Sequence, residues 1–171
     1  MPSGAQRRVS RLLVGAAAVA MTVAACAGEV ASSDDRETQI YATALDWLLD
    51  RPDTEVGDVE EPLIYIEHLG SDAIALAVQV DLIDRYDDVV ELRFVDARTE
   101  AVDESVSDAP VREGRVLIGL GPISEENELR AEVYRSSSEV TAYRFRLHDE
   151  DGWRLSATPT PIEPEGLVAD P

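Results

Sequence analysis

The chain has 171 residues, enough for one domain with flanking segments, and carries 35 acidic against 15 basic side chains, a formal net charge of −20. Every basic residue is Arg, and the strong acidic excess excludes a polybasic binder of nucleic acids or membrane surfaces. A single Cys excludes a disulfide framework within the chain and a cysteine-rich zinc site.

The N-terminal segment has the order of features that is typical of an export signal. Three arginines are followed by an apolar run over residues 12–21, and small residues then lead to Cys26. An apolar run of about ten residues is too short to cross a bilayer, which takes about 20. The three arginines are Arg7, Arg8 and Arg11.

The residues at the end of this segment, Val23-Ala24-Ala25-Cys26, resemble the lipobox of bacterial lipoprotein signal peptides. The resemblance implies that the Cys26 thiol receives a diacylglyceryl group and that a signal peptidase cuts between Ala25 and Cys26. Acyl chains such as palmitate then anchor the mature protein to the extracytoplasmic side of the cell membrane. An ordinary secretory signal, cut at the small-residue site Ala25-Cys26-Ala27, is the alternative.

The composition of the chain predicts four segments. Residues 1–25 form the lipoprotein signal peptide, and residues 26–36 form the lipidated Cys with a flexible, polar tether. Residues 37–157 form a single α+β domain, and residues 158–171 form a Pro-rich extended tail.

The first half of the domain predicts two helices separated by a strand. Apolar residues at helical spacing predict a helix over 36–51, which Pro52 ends. A strand over 63–69 follows, and Ser71 then caps a helix over 72–86. Its β-branched residues leave a strand as the alternative. The inner face of the second helix is Ile74, Ala77, Val78 and Leu82.

The second half predicts only strands. They cover residues 89–97, 115–120, 129–135, 140–148 and 153–157, with an acidic loop over 98–114 and a hairpin turn over 149–152. This order indicates the α+β class, with two helices packed on a mainly antiparallel sheet of about five to six strands. A cone that resembles the nuclear-transport-factor-like or cystatin-like folds is the alternative.

No recognised catalytic or metal-binding motif appears in the chain. The two histidines, His68 and His148, stand apart from any nucleophile at a known spacing. The acidic turn over 149–152 lacks the alternating carboxylates of a calcium loop. We therefore expect no metal, no cofactor and no enzymatic activity.

The last predicted strands carry a cluster of basic residues in an otherwise acidic chain. Period-two alternation turns four arginines of the last strands away from the core, which predicts a patch for a carboxylate, a phosphate or an acidic partner. Glu132 lies on the same side, so ordinary cross-strand ion pairs are the alternative. The four arginines are Arg130, Arg144, Arg146 and Arg154.

These features predict a lipid-anchored protein of the cell envelope with a non-enzymatic binding domain. The membrane is reached through the lipid on Cys26, and the domain binds an envelope protein or polymer but no nucleic acid. Two alternatives are a small-ligand carrier with a cone-fold pocket and an envelope hydrolase.

Overall fold

The computed structural model describes residues 32–54 and 62–164. The predicted signal peptide and Cys26 lie outside these residues. Three helices and a curled, half-barrel sheet of seven strands confirm the predicted α+β class. Among the described residues, no helix has the length and apolarity that crossing a membrane requires.

The first helix, α1, spans Ser33–Leu49 and begins earlier than predicted, within the segment assigned to the tether. Ser32 starts it through a capping box, in which the Ser32 Oγ accepts a hydrogen bond from the Asp35 amide at 3.1 Å. The Asp35 carboxylate accepts one from the Ser32 amide at 3.0 Å. A 3₁₀ turn, Pro52–Thr54, follows the helix.

The second helix, α2, spans Leu76–Tyr86 and is shorter than the predicted 72–86. Its N-cap is Ala75, not Ser71, and no side chain caps it. The residues predicted to face inward are buried except Ala77, which is exposed. A third, short helix, α3, spans Arg98–Ala101 in the region predicted to be a loop.

The seven strands form one mixed sheet in the order β2-β1-β3-β4-β5-β6, with β7 also paired to β5. Strand β1 is parallel to both β2 and β3, whereas all other pairs are antiparallel. The strands are β1 Leu63–His68, β2 Glu91–Val95, β3 Val116–Leu120, β4 Glu128–Ser136, β5 Glu139–Asp149, β6 Trp153–Leu155 and β7 Thr160–Ile162.

The parallel strands need crossover connections, and these cover both faces of that part of the sheet. Helix α2 joins β1 to β2 on one face. The connection from β2 to β3 carries α3 and packs Ala101, Val102 and Val111 against the opposite face. We call that opposite face, turned away from α1 and α2, the outer face.

The main core lies between the sheet and the two longer helices. Trp47 of α1 packs edge-on against Tyr143 and Phe145 of β5, with ring centroids 5.0 and 5.5 Å apart. The hydroxyl of Tyr41, on the same helix, donates a hydrogen bond to the Gly121 carbonyl at 3.1 Å. Large side chains therefore fill the space in which a cone fold keeps its pocket.

Strand β7 lies in the segment predicted to be a tail. Both β6 and β7 pair with the same edge of β5. Leu155 of β6 is the register partner of Leu147, and Thr160 of β7 is the register partner of Arg144. Pro161 fits this position because an edge strand leaves one side of its backbone unpaired. The sheet thus extends beyond residue 157, the predicted end of the domain.

Candidate binding surface on the outer face

The predicted arginines of β4 and β5 lie on the outer face. In β5, Tyr143, Phe145 and Leu147 point into the helix-side core, while Arg144 and Arg146 between them are exposed. Arg130 of β4 is the register partner of Arg144. The alternation of the sequence therefore placed these three arginines on the correct side.

Arg144 and Arg146 line a surface cavity of about 270 Å³ at the edge of the sheet. Between its pairings with β7 and β6, strand β5 advances three residues, from Arg144 to Leu147. The chain beside it advances five residues, from Leu155 to Thr160, and therefore bulges. The cavity lies at this bulge. The remaining lining residues are Ala157, Thr158, Thr160 and Ile162.

The two cavity arginines differ in their partners. The Arg146 Nε donates a hydrogen bond to Glu128 Oε1 at 2.6 Å; Arg146 is exposed and Glu128 is partly exposed. Arg144 makes no hydrogen bond or ion pair with any residue that the structure describes. We name Arg144 and Arg146, with Thr158 and Thr160 beside them, the arginine cup.

Arg130 belongs to a different arrangement, the ion-pair cluster of Glu67, Arg98, Arg130 and Glu132. The Arg130 Nη2 donates to Glu132 Oε1 at 2.6 Å, and the Arg98 Nε donates to Glu67 Oε1 at 2.9 Å. Arg98 also reaches Glu132 at 3.5 Å. Glu67 and Glu132 are 6% and 3% exposed, so their charges are compensated within the protein and not by water.

Local packing explains how this cluster fits. Glu67 of β1 and Glu132 of β4 are both register partners of Gly119, which brings no side chain between them. The Arg98 guanidinium lies 4.7 Å from the ring centroid of Tyr134. Burial alone lowers the pKa of Arg98, but the hydrogen bond and charge of Glu67 outweigh it, so the pKa lies above its usual value.

Sequence reasoning missed Glu67 and Arg98. The signal available for Glu67 was a carboxylate within the apolar strand 63–68, where burial demands a cationic partner. Nothing local identifies Arg98 as that partner, because it lies 31 residues further along the chain.

Arg154 does not join the arginine cup. It lies on the edge strand β6 opposite His148 and lines an open cleft shared with Gln39, Asp46 and Arg85 of the two longer helices. The predicted patch of four arginines therefore divides into the cup, one member of the ion-pair cluster and one edge residue.

A second cleft, of about 180 Å³, lies where β1 and β2 end, a common position for ligand sites beside parallel strands. His68 lines it with Asp72 and Asp96, and the His68 Nδ1 is buried with no hydrogen-bond partner among the described residues. A Cβ on Gly70 would lie 2.6 Å from the His68 Cε1, so glycine gives the ring its room.

Metal ligation receives no support from the residues that the structure describes. Within residues 32–54 and 62–164, no group of three or more His, Cys, Asp or Glu side chains is placed to hold a metal ion. In the acidic hairpin, Asp149 Oδ1 instead accepts a hydrogen bond from the Gly152 amide at 3.2 Å, which stabilises the turn.

Comparison with known proteins adds no relative. No family model, no curated protein and no solved structure matches this chain.

Proposed function

We propose that this protein is a lipid-anchored, extracytoplasmic envelope protein whose domain binds an anionic partner through the arginine cup. The partner would be a protein or an envelope polymer that presents carboxylate or phosphate groups. The domain acts by binding and not by catalysis.

The observation that carries the proposal is the position of Arg144. Its register partner is another cation, Arg130, and like charges directly opposite one another destabilise a sheet. Arg144 also has no compensating partner among the described residues, in a chain whose net charge is −20. Folding gains little from an Arg at this position, whereas an anion bound between the two guanidinium groups gains charge-assisted hydrogen bonds.

The alternatives from the sequence receive less support. A carrier needs an enclosed pocket, but Trp47, Tyr143 and Phe145 fill the space between sheet and helices. Glu67 and Glu132 do not serve as the acids of a two-carboxylate hydrolase, because both are bonded to guanidinium groups.

Binding at the cup is tested with the full-length protein carrying Cys26→Ala in lipid-free buffer, so that the result does not depend on the anchor. Polyphosphate and polyglutamate serve as probes, because they separate phosphate from carboxylate recognition. We expect the variant Arg144→Gln/Arg146→Gln to bind at least one of them about tenfold more weakly than the native protein. The salt dependence of binding should also become shallower.

The matched control removes the same charge elsewhere. Arg85→Gln/Arg93→Gln changes two exposed arginines that lie outside the cup, and it should leave binding unchanged. Equal weakening by both double variants would show only a general effect of net charge. That result would overturn the cup as a site.

The anchor is a separate part of the proposal, and its support is the lipobox-like sequence that ends at Cys26. Intact mass of the native product should show acyl chains on an N-terminal Cys26. The Cys26→Ala variant should leave the membrane fraction, since two or three buried acyl chains supply the attachment. An unmodified thiol on the native product would contradict the anchor without affecting the cup.

A further inference from the structure

Helix α2 carries an apolar stripe on its solvent side. Leu76, Val80 and Ile83 are 73%, 46% and 40% exposed and follow one another at spacings of four and three residues, which places them on one face. Val89, 66% exposed, follows the end of the helix. Of the five exposed large apolar side chains among the described residues, four thus lie between residues 76 and 89.

The fold does not use this stripe. The opposite side of α2 already supplies Val78, Leu82 and Tyr86 to the core, each of them buried. Single exposed apolar residues are common on protein surfaces, but a helical row of them exposes a continuous apolar strip to water. Such a strip on an otherwise amphipathic helix is typical of a surface that another chain covers.

The charges around the stripe decide what kind of chain fits. Asp81 and Asp84 are exposed on α2, and Asp87 and Asp88 are exposed at its C-terminal end. The one base of the helix, Arg85, is bonded to Asp46 at 3.0 Å. Carboxylates therefore border the apolar strip along one side and at its C-terminal end.

We propose that the α2 stripe docks a cationic amphipathic segment of another protein, whose apolar side chains cover Leu76, Val80 and Ile83 while its Lys or Arg side chains meet the Asp carboxylates. Charge complementarity selects this occupant. A second copy of the chain would bring carboxylates against carboxylates, and an anionic lipid surface would be repelled in the same way. The stripe lies on the helix side of the sheet, so this site goes beyond the cup of the outer face.

The probe is a dye-labelled amphipathic peptide with Leu along one helical face and Lys elsewhere. It is titrated by fluorescence anisotropy against the full-length protein carrying Cys26→Ala in lipid-free buffer, because such a peptide would itself bind a bilayer. A second peptide carries Glu in place of Lys. We expect the Lys peptide to bind and the Glu peptide not to bind. The variant Leu76→Ser/Val80→Ser/Ile83→Ser should bind the Lys peptide at least about tenfold more weakly.

Two further variants separate the parts of the site. Asp81→Asn/Asp84→Asn should weaken binding and reduce its salt dependence, since it removes the charges that meet the Lys side chains. Val106→Ser changes an apolar residue as exposed as Val80, 45% against 46%, but outside the stripe, and should leave binding unchanged. Thermal unfolding by circular dichroism confirms that each variant remains folded.

Three outcomes would overturn the proposal. The triple variant would bind the Lys peptide as tightly as the native protein if general attraction to an acidic surface were responsible. Equal binding of the Glu peptide would remove the charge argument. Self-association of the native protein that the triple variant abolishes, measured by sedimentation, would assign the stripe to a second copy.

Discussion

The outer face of the sheet is covered by other segments of the chain in one half and exposed to solvent in the other. The parallel half, β2-β1-β3, is covered on that face by α3 and the connection around it, and its carboxylate Glu67 is bonded to Arg98 from this cover. The antiparallel half, around β5, leaves Arg144 and Arg146 in solvent. The same charged residue types are thus bonded within the protein under a cover and exposed to solvent without one.

The difference also predicts where charge changes matter for stability. A buried carboxylate that loses its partner retains its full desolvation penalty, whereas an exposed ion pair is already compensated by water. Variants of matched chemistry in the two halves should therefore differ strongly in stability.

The largest effect is expected from Arg98→Ala. It leaves Glu67 buried without its guanidinium, and we expect a loss of about 3 kcal/mol in the free energy of unfolding, the lower end for such pairs because Arg98 is partly exposed. Arg146→Ala breaks the exposed pair with Glu128 and should lose less than about 1 kcal/mol. Urea unfolding measures both, and equal losses would contradict the comparison between the halves.

The antiparallel half was the easier half to predict from the sequence. Strands β4 and β5 alternate apolar and polar residues, because one face is buried and the other is wet, and this alternation also placed Arg144 and Arg146 correctly. Residues 63–67 and the whole of β3 are instead buried, so they have no alternation that reveals direction or neighbours. The parallel pairing of β1 with β2 and β3 was consequently not predicted.

The missing parts of the site have a similar cause. Arg98 meets Glu67 only because the connection from β2 to β3 crosses the outer face, and no local pattern describes that path. The proline content of residues 158–171 predicts an extended tail, but Pro161 lies in β7, because an edge strand accepts proline. Without β7 the sequence gives no indication of the cavity beside Arg144.

Two buried tyrosine hydroxyls differ in the number of hydrogen bonds they make. The Tyr86 hydroxyl of α2 lies 2.6 Å from Asp46 Oδ1 and 2.9 Å from the Ala42 carbonyl, whereas the Tyr143 hydroxyl of β5 bonds only to Asp53 Oδ2, at 2.6 Å, among the described residues. We expect Tyr86→Phe to destabilise the protein by about 1.5 kcal/mol and Tyr143→Phe by about 1 kcal/mol. Urea unfolding at neutral pH would contradict this order if Tyr143→Phe lost more.

The contribution of Tyr86 to stability depends on pH. Burial, and then the hydrogen bond to Asp46, raise the pKa of Tyr86 above its usual 10.0. The native state therefore holds the neutral phenol, and its contribution is fully present below pH 10 and is lost as the pH rises beyond it. Stability measured through this alkaline range should fall less steeply in Tyr86→Phe than in the native protein.

A smaller effect is expected at the helix N-termini, one over each half. Helix α1 has the Ser32 capping box, whereas α2 begins at Ala75 without a side-chain cap. Ser32→Ala should lower the free energy of unfolding by about 1 kcal/mol, and Ala75→Ser should raise it by a similar amount. Thermal unfolding of the two variants checks the opposite signs, and a loss in both would show that α2 does not accept a cap.

The smallest effect on stability is expected at Asp108, which links the cover of the parallel half to the β4–β5 turn. This residue lies in the connection that covers the parallel half, and its carboxylate accepts hydrogen bonds from the Ser137 Oγ at 2.9 Å and the Ser138 amide at 3.1 Å, both in the β4–β5 turn. Hydrogen bonds from the neighbouring serine hydroxyls lower the pKa of Asp108 below its usual 3.8. The attachment is thus fully present above pH 3.8 and is lost as the pH falls through the lowered value.

Because Asp108 is only partly buried and its bonds lie within one turn, its loss should open the turn locally and leave global unfolding unchanged. Hydrogen exchange of the Ser138 amide should be faster in Asp108→Asn than in the native protein at neutral pH, and the two should converge in acid below the native pKa. A change in the urea midpoint of Asp108→Asn would instead mean that the outer cover and the antiparallel half unfold as one unit. In that case the stability of the exposed half would depend on the covered half. The fold of the arginine cup would then depend on residues far from β5 and β7.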